Sequence, residues 1–183
     1  MNNHKRIVIV SGAPGTGKTS VTRMLAEESL CDCAVHLQVD DFWQCIRKGY
    51  TYPWLHNSGD QNETVVNAVA AGAVIFAKNG YEVFVDGAIG PWFLTPWIKI
   101  AKKGVDVRYI ILRPDEKSTV FRAANRQQRD YFPLNTDIVK DVWNSFNDLG
   151  RYEAHVLDTT GQAIEESVAV IQKMLHENNF CIT

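Results

Sequence analysis

Short apolar runs recur along the chain, separated by stretches in which apolar residues return every three or four positions. The runs Arg6 to Val10, Val35 to Val39, Tyr81 to Val85, Val105 to Leu112 and His155 to Leu157 predict five strands. The third is almost purely apolar, as expected of a strand covered on both faces. Between them, a helix is expected from Lys18 to Ser29 with Val21, Met24 and Leu25 on one face, and another from Asp40 to Lys48, stopped by Gly49. Tyr50 to Gly59, with Pro53 and an Asn57-Ser58-Gly59 turn, reads as a loop. Asp60 and Glu63 have capping-box spacing and open a long helix to Asn79, with Val65, Val69, Ala73 and Phe76 inward and Gly80 at its end. Thr95-Pro96 starts a short helix to Lys103. Pro114 to Arg129, Asn135 to Leu149 (Ile138, Val142 and Phe146 inward, Gly150 closing) and Gln162 to His176 (Ile164, Val168, Ile171 and Leu175 inward) complete the helices. Strands alternating with helices predict an α/β fold, a parallel sheet wrapped on both faces.

The chain's 183 residues suit one domain, 1–183. Hydrophobic residues at 45% and charged residues at 22% match an ordinary globular protein and exclude a disordered one. With 19 basic and 21 acidic residues the net charge is −2, so nucleic acid is not an expected partner. No apolar run approaches membrane-spanning length, and Ile7 to Val10 is too short for a signal-peptide core. The expectation is a cytoplasmic monomer or homodimer. Cys31, Cys33, Cys45 and Cys181 form no C-x-x-C pair and read as reduced, structural thiols.

One turn changes this picture. Gly12-Ala13-Pro14-Gly15-Thr16-Gly17-Lys18-Thr19, followed by Ser20, lies between the first strand and its helix and is a full G-x-x-x-x-G-K-T phosphate loop. Glycines let successive N–H groups curl inward around phosphate oxygens, and the helix adds its positive dipole end. Lys18 is expected to reach the β- and γ-phosphates of ATP, and the Thr19 hydroxyl to hold Mg²⁺. With glycine at about 7% of residues, a chance match in such a chain is on the order of 1% or less.

Other candidates follow from position. Asp86 ends the third strand, on the sheet edge where ligands bind, and is the candidate carboxylate partner of Thr19 at the metal. Asp40 and Asp41 close the second strand on the same edge; Asp40 is the candidate base for an acceptor hydroxyl, with Asp41 as substitute. Asp40 equally suits a helix N-cap. Arg122, Arg126 and Arg129 recur at helical spacing where a lid, about 122–137, could close over ATP; Arg126 is the candidate catalytic cation and Arg122 a nucleotide contact. The alternative is a solvated helix face. Aromatics crowd two stretches, Trp43, Tyr50, Tyr52 and Trp54, then Trp92, Phe93 and Trp97. They suggest either an acceptor pocket over about 40–60 and 87–98, including Trp43, Trp54 and Trp92 with Arg47 or His56 adding polar contacts, or packing beneath long loops.

Taken together, these residues resemble the small-molecule kinase branch of P-loop proteins, which includes gluconate kinase-like, shikimate kinase-like and chloramphenicol phosphotransferase-like enzymes and is often filed as AAA-type ATPase. The resemblance spans about residues 5 to 177. It implies a nucleoside-kinase-like sheet of five parallel strands in order 2-3-1-4-5, a base role for Asp40 in Val39-Asp40-Asp41-Phe42-Trp43, and a lid R-x-x-x-R at Arg122 and Arg126. It also implies that the loop Asp158-Thr159-Thr160-Gly161 edges the adenine, giving Thr160 as a nucleotide contact. The arginine pattern of shikimate kinases and the acceptor motifs of gluconate kinases are missing, so the acceptor does not carry over. The function expected is transfer of the ATP γ-phosphoryl to a hydroxyl of a small sugar-like or antibiotic-like molecule; the alternatives are a nucleoside or nucleotide kinase and a P-loop ATPase without acceptor.

Overall fold

The computed structural model describes residues 6–125 and 135–182. Five parallel strands, β1 (Arg6–Ser11), β2 (Ala34–Gln38), β3 (Glu82–Gly87), β4 (Asp106–Leu112) and β5 (Val156–Leu157), form one sheet in the order β2-β3-β1-β4-β5. This is the expected topology, and every edge of consequence follows from it. β1 is central, so the turn leaving it, the phosphate loop, lies mid-sheet at the carboxyl edge.

Successive side chains of a strand point to opposite faces, and β1 feeds two cores by that alternation. Ile7 and Ile9 join Val83, Val85, Tyr109 and Ile111 on one face; Val8 and Val10 join Phe84, Ile110 and Leu112 on the other. The first face is covered by α2 (Val39–Gln44), α3 (Gly59–Lys78) and α4 (Thr95–Ala101). The second is covered by α1 (Lys18–Glu27) and α7 (Ile164–His176), through Val21, Leu25, Val168, Ile171 and Leu175. Two further helices, α5 (Glu116–Ala124) and α6 (Thr136–Ser145), follow β4.

Several local expectations are corrected. α3 starts at Gly59 with Ser58 as N-cap, and no side chain caps it, so the Asp60–Glu63 box does not form. The Ser58 hydroxyl instead donates to the carbonyls of Pro53 and Leu55, tying the preceding loop. Phe76 is exposed and rests edge-on against Tyr81; Ala77 takes the inward place. Ile164 likewise faces outward. α2 begins at Val39 and ends at Gln44, short of Lys48. Thr95 is the first helical residue rather than the cap. The cysteines are all free, but Cys33, Cys45 and Cys181 are surface residues rather than packing ones.

The C-terminal segment was not anticipated. Beyond α7, Phe180 and Ile182 are buried, Cys181 forms an antiparallel bridge with Arg108, and main-chain bonds run from Tyr109 N–H to Phe180 O and from Ile182 N–H to Val107 O. β5 pairs only with Ile111 and Leu112, so this tail covers the part of β4 that β5 leaves open.

Candidate active site

The phosphate loop forms because its backbone enters conformations that side chains oppose. Gly12, Gly15 and Gly17 have φ of 144°, 89° and 89°. A Cβ on Gly12 would stand 2.5 Å from Leu112 O, and one on Gly15 would stand 2.3 Å from Thr119 O of α5. The loop therefore nests between β4 and α5. Gly17 is the left-handed N-cap of α1, and no side chain caps that helix. Its first amides are left facing the loop, the arrangement that binds anions. Ala13 is buried and contributes backbone: its carbonyl accepts from Thr16 N–H at 3.3 Å, Thr16 Oγ1 at 3.0 Å and Lys18 Nζ at 3.3 Å. Pro14 is half-buried beside it.

Thr19 Oγ1 donates to Asp86 Oδ2 at 2.6 Å, so the candidate metal pair, 67 residues apart in sequence, is assembled by the fold. Asp86 is 3% exposed. Its other oxygen, Oδ1, lies 2.6 Å from His36 Nε2, a partner that sequence reasoning did not single out. A histidine two residues before the end of the neighbouring strand was the signal available. Thr19 and Asp86 are hard oxygen donors suited to Mg²⁺. Among the described residues no group of three or more His, Cys, Asp or Glu gathers as a metal cage. A Mg²⁺ held here would complete its shell with phosphate oxygens and water, its usual mode beside a nucleotide.

A cavity of about 490 Å³ opens beside the loop, lined by Gly15 to Val21, Arg122 of α5, Thr159 and Gln162 of the loop before α7, and Ile164 and Ser167 of α7. Ser20 and Arg122 both lie on the wall of this hollow. Thr160 does not line it. Its Oγ1 accepts the Asp115 N–H at 2.8 Å, and its own N–H donates to Asp158 Oδ1 at 2.8 Å. Asp115 in turn caps α5 through Ser118 N–H and Ser118 Oγ. This knot ties the loop after β5 to the helix that carries Arg122. Hydrogen bonds from Ser118 hold the Asp115 carboxyl below its ordinary value, and those from Thr160 do the same for Asp158. Arg126 and Arg129, and with them most of the expected lid, lie outside the described residues. A larger hollow, about 660 Å³, lies at the other end of the strands, where Arg6 and Glu82 pair with each other.

On the acceptor side, β2–β3 register pairs Gln38 with Asp86, so Asp40, two residues on, leaves the same sheet edge in the first turn of α2 beside Asp41. Tyr50 is close enough to Asp40 for its charge to be felt: burial first, then Tyr52 and Asp40, push the Tyr50 phenol up to about 12. It stays a neutral hydroxyl at physiological pH. Tyr52 stacks on Trp54 at 4.9 Å and takes Tyr50 edge-on at 5.5 Å. Trp92 is 53% exposed and leans on Phe93 and Phe146. Arg47 and His56 are exposed.

Trp43 belongs to the core instead. It is 5% exposed and donates Nε1–H to Asn62 Oδ1 at 3.2 Å, so packing, the bland alternative, accounts for it. Trp97 is fully buried among α3, α4 and the sheet. The loop between α2 and α3 is pinned by two amides: Asn62 donates to Pro53 O and Ser58 Oγ, and Gln61 exchanges bonds with both main-chain groups of Thr51.

Comparisons with known proteins agree with this geometry. The model of the AAA domain family matches residues 7–149. A cytidylate kinase of Pyrobaculum islandicum is 27% identical over 175 residues, 90% of this chain and 89% of that protein. Among solved structures, a sugar kinase from Janibacter sp. HTCC2649 superposes with a TM-score of 0.68 at 17% identity, over 93% of this chain and 94% of the other. A shikimate kinase from Acinetobacter baumannii does so with a TM-score of 0.62 at 20% identity, over 95% and 94%. These last two likenesses are of fold. No helix among the described residues is long and apolar enough to cross a membrane. A phosphate loop in mid-sheet, a 2-3-1-4-5 strand order and the family match over most of the length lead to one assignment: the chain belongs to the AAA domain family.

Proposed function

We propose that this protein transfers the γ-phosphoryl of ATP to a hydroxyl of a small, largely uncharged molecule. The observation that carries the reading is the register Gln38 to Asp86, which brings Asp40 to the same carboxyl edge as the phosphate loop and the Thr19–Asp86 pair. In this reading ATP lies with its phosphates in the nest and its nucleoside in the 490 Å³ cavity. Lys18 and the α1 amides draw charge toward the β- and γ-phosphates. Mg²⁺ held by Thr19 and Asp86 would neutralise phosphate charge. Asp40 orients the acceptor O–H, accepts its proton as the new P–O bond forms, and ADP leaves. Arg122 supplies a cation from the cavity wall, and Arg126, outside the described residues, is the candidate for a second. The Tyr50–Tyr52–Trp54 stack and Trp92 offer flat apolar surfaces for the acceptor's body, with Asp41 and Arg47 at the rim.

The likeness to a cytidylate kinase favours a second reading, a nucleoside monophosphate as acceptor. A second phosphate calls for cations that meet it in fixed geometry. Here the first turn of α2 carries Asp40 and Asp41 and that of α3 carries Asp60, while Arg47 and Lys48 lie beyond the end of α2. That balance supports a neutral alcohol.

The test is ADP formation against a panel of sugars, hydroxylated antibiotics, nucleosides and nucleoside monophosphates. One neutral compound should raise turnover, and Asp40→Asn should lower kcat on it by about 10²–10⁴-fold with little change in KM for ATP. Turnover raised only by a nucleoside monophosphate, with its KM increased in Arg47→Ala, would favour the second reading. ATP hydrolysis indifferent to every acceptor and to Asp40 would sink both.

A further inference from the structure

His36 reaches from β2 to the metal pair without being part of it. Its Nε2 lies 2.6 Å from Asp86 Oδ1, and the two side chains are 17% and 3% exposed. The register sets His36 opposite Phe84, one diagonal step from Asp86, so both emerge on the face covered by α1. Because Thr19 Oγ1 donates to Oδ2, the Asp86 carboxylate is held at both oxygens by groups from two different elements.

We propose that His36 is a positioning residue for the metal site: its Nε2–H fixes the plane of the Asp86 carboxylate in which Asp86 and Thr19 receive the divalent cation of a metal–nucleotide complex. The proposal rests on the reading of Thr19 and Asp86 as that cation's anchor. The torsion that turns a carboxylate about its own axis is broad and weakly restrained. One hydrogen bond, from Thr19, leaves the group free to swing about the held oxygen; a second, from a side chain rooted in a β-strand, removes that freedom. Asp86 itself comes from the neighbouring strand β3, so the pair joins two rigid elements rather than a loop. Partners of this kind set ligand orientation and basicity, and their loss weakens metal binding by about 10–100-fold. A purely structural pair would behave differently: its removal would lower stability and leave cation affinity alone.

The experiment measures Mn²⁺ binding to the protein–ADP complex by electron paramagnetic resonance, and ADP binding in EDTA by calorimetry, for wild type, His36→Ala, His36→Gln and His36→Asn. Expected is a loss of Mn²⁺ affinity of about 10-fold or more in His36→Ala, with ADP affinity in EDTA unchanged. His36→Gln, whose amide N–H extends as far as Nε2, should restore much of it; the shorter His36→Asn should not. Unchanged Mn²⁺ affinity in a folded His36→Ala overturns the proposal, as does a Gln variant no better than Asn. Where circular dichroism shows His36→Ala unfolded, the Gln and Asn pair decides. Neither acceptor nor turnover enters the measurement, so failure of the acceptor reading leaves it intact. A wild-type complex that retains no Mn²⁺ overturns the anchor and this proposal together.

Discussion

Gly15 makes two demands that a single substitution separates. Its φ of 89° is hostile to any side chain, and its missing Cβ admits the carbonyl of Thr119. Gly17 has the same φ but nothing within 4 Å of where a Cβ would stand. Gly15→Ala should therefore destabilise by more than Gly17→Ala, which bears only the backbone term of about 1–2 kcal/mol. Gly15→Ala should also displace α5, and with it Arg122, from the cavity wall. Chemical denaturation checks the first expectation and ADP affinity the second; equal losses in the two variants would remove the role of the α5 contact. The glycines, Lys18 and Thr19 were legible in sequence because their chemistry is local, fixed by spacing within one turn. The pairing of His36 with Asp86 was not, since it depends on strand register across 50 residues. Nor was the burial of Trp43, whose indole finds Asn62 only once α3 has packed.

At the scale of elements, the loop between α2 and α3 is held by side chains rather than by secondary structure. Asn62 is buried and makes three bonds, to Trp43 Nε1, Pro53 O and Ser58 Oγ. Asn62→Ala strands a buried indole N–H, at about 1–3 kcal/mol, while Pro53 O keeps its bond from the Ser58 hydroxyl. It should lower the melting temperature by several degrees and loosen Tyr50, Tyr52 and Trp54, read as greater quenching of Trp54 fluorescence; an unchanged melt would show the loop indifferent to its pin. The helix pattern was readable here, but its cap was not, because Ser58 turns its hydroxyl back to the loop. The knot of Asp115, Thr160 and Asp158 has a pH signature. Both carboxyls have folded values lowered from 3.8, so their stabilisation is full above 3.8 and fades as pH falls through the lowered values. Asp115→Asn with Asp158→Asn should lower stability at neutral pH, where that contribution is full, and flatten the acid limb below about pH 4, so that variant and wild type converge as pH falls. An acid limb as steep as wild type's would assign that loss to other carboxylates.

For the whole molecule, the periodicity that predicted five strands also predicted the layers, since an all-parallel sheet needs both faces covered. What periodicity could not show is how an edge left by a two-residue β5 is closed. The tail closes it with five residues too short for any pattern. Arg108, buried in β4, donates to Asn178 Oδ1 and Asn179 O while paired with Asp106. Phe180 then enters the α1–α7 core with φ of 63°, a conformation that a bulky residue adopts only under constraint. Two terms oppose each other at this position. Removing the ring forfeits about 3–5 kcal/mol of packing, and relieving the backbone returns about 1–2 kcal/mol. Phe180→Ala keeps most of the strain and loses the ring, so it should be the less stable variant; Phe180→Gly loses the ring but relieves the strain. Phe180→Ala should melt roughly 6–20 °C below wild type, at 2–4 °C per kcal/mol for a chain of this size, and Phe180→Gly a few degrees above Phe180→Ala. The tail meets β4 at Val107 to Tyr109, on the half of the strand away from the phosphate loop. ADP affinity measured below the melt should then match wild type in both. An alanine variant more stable than the glycine one would show that the left-handed backbone carries no strain, and a fall in ADP affinity would show that the tail's packing reaches the nest through β4.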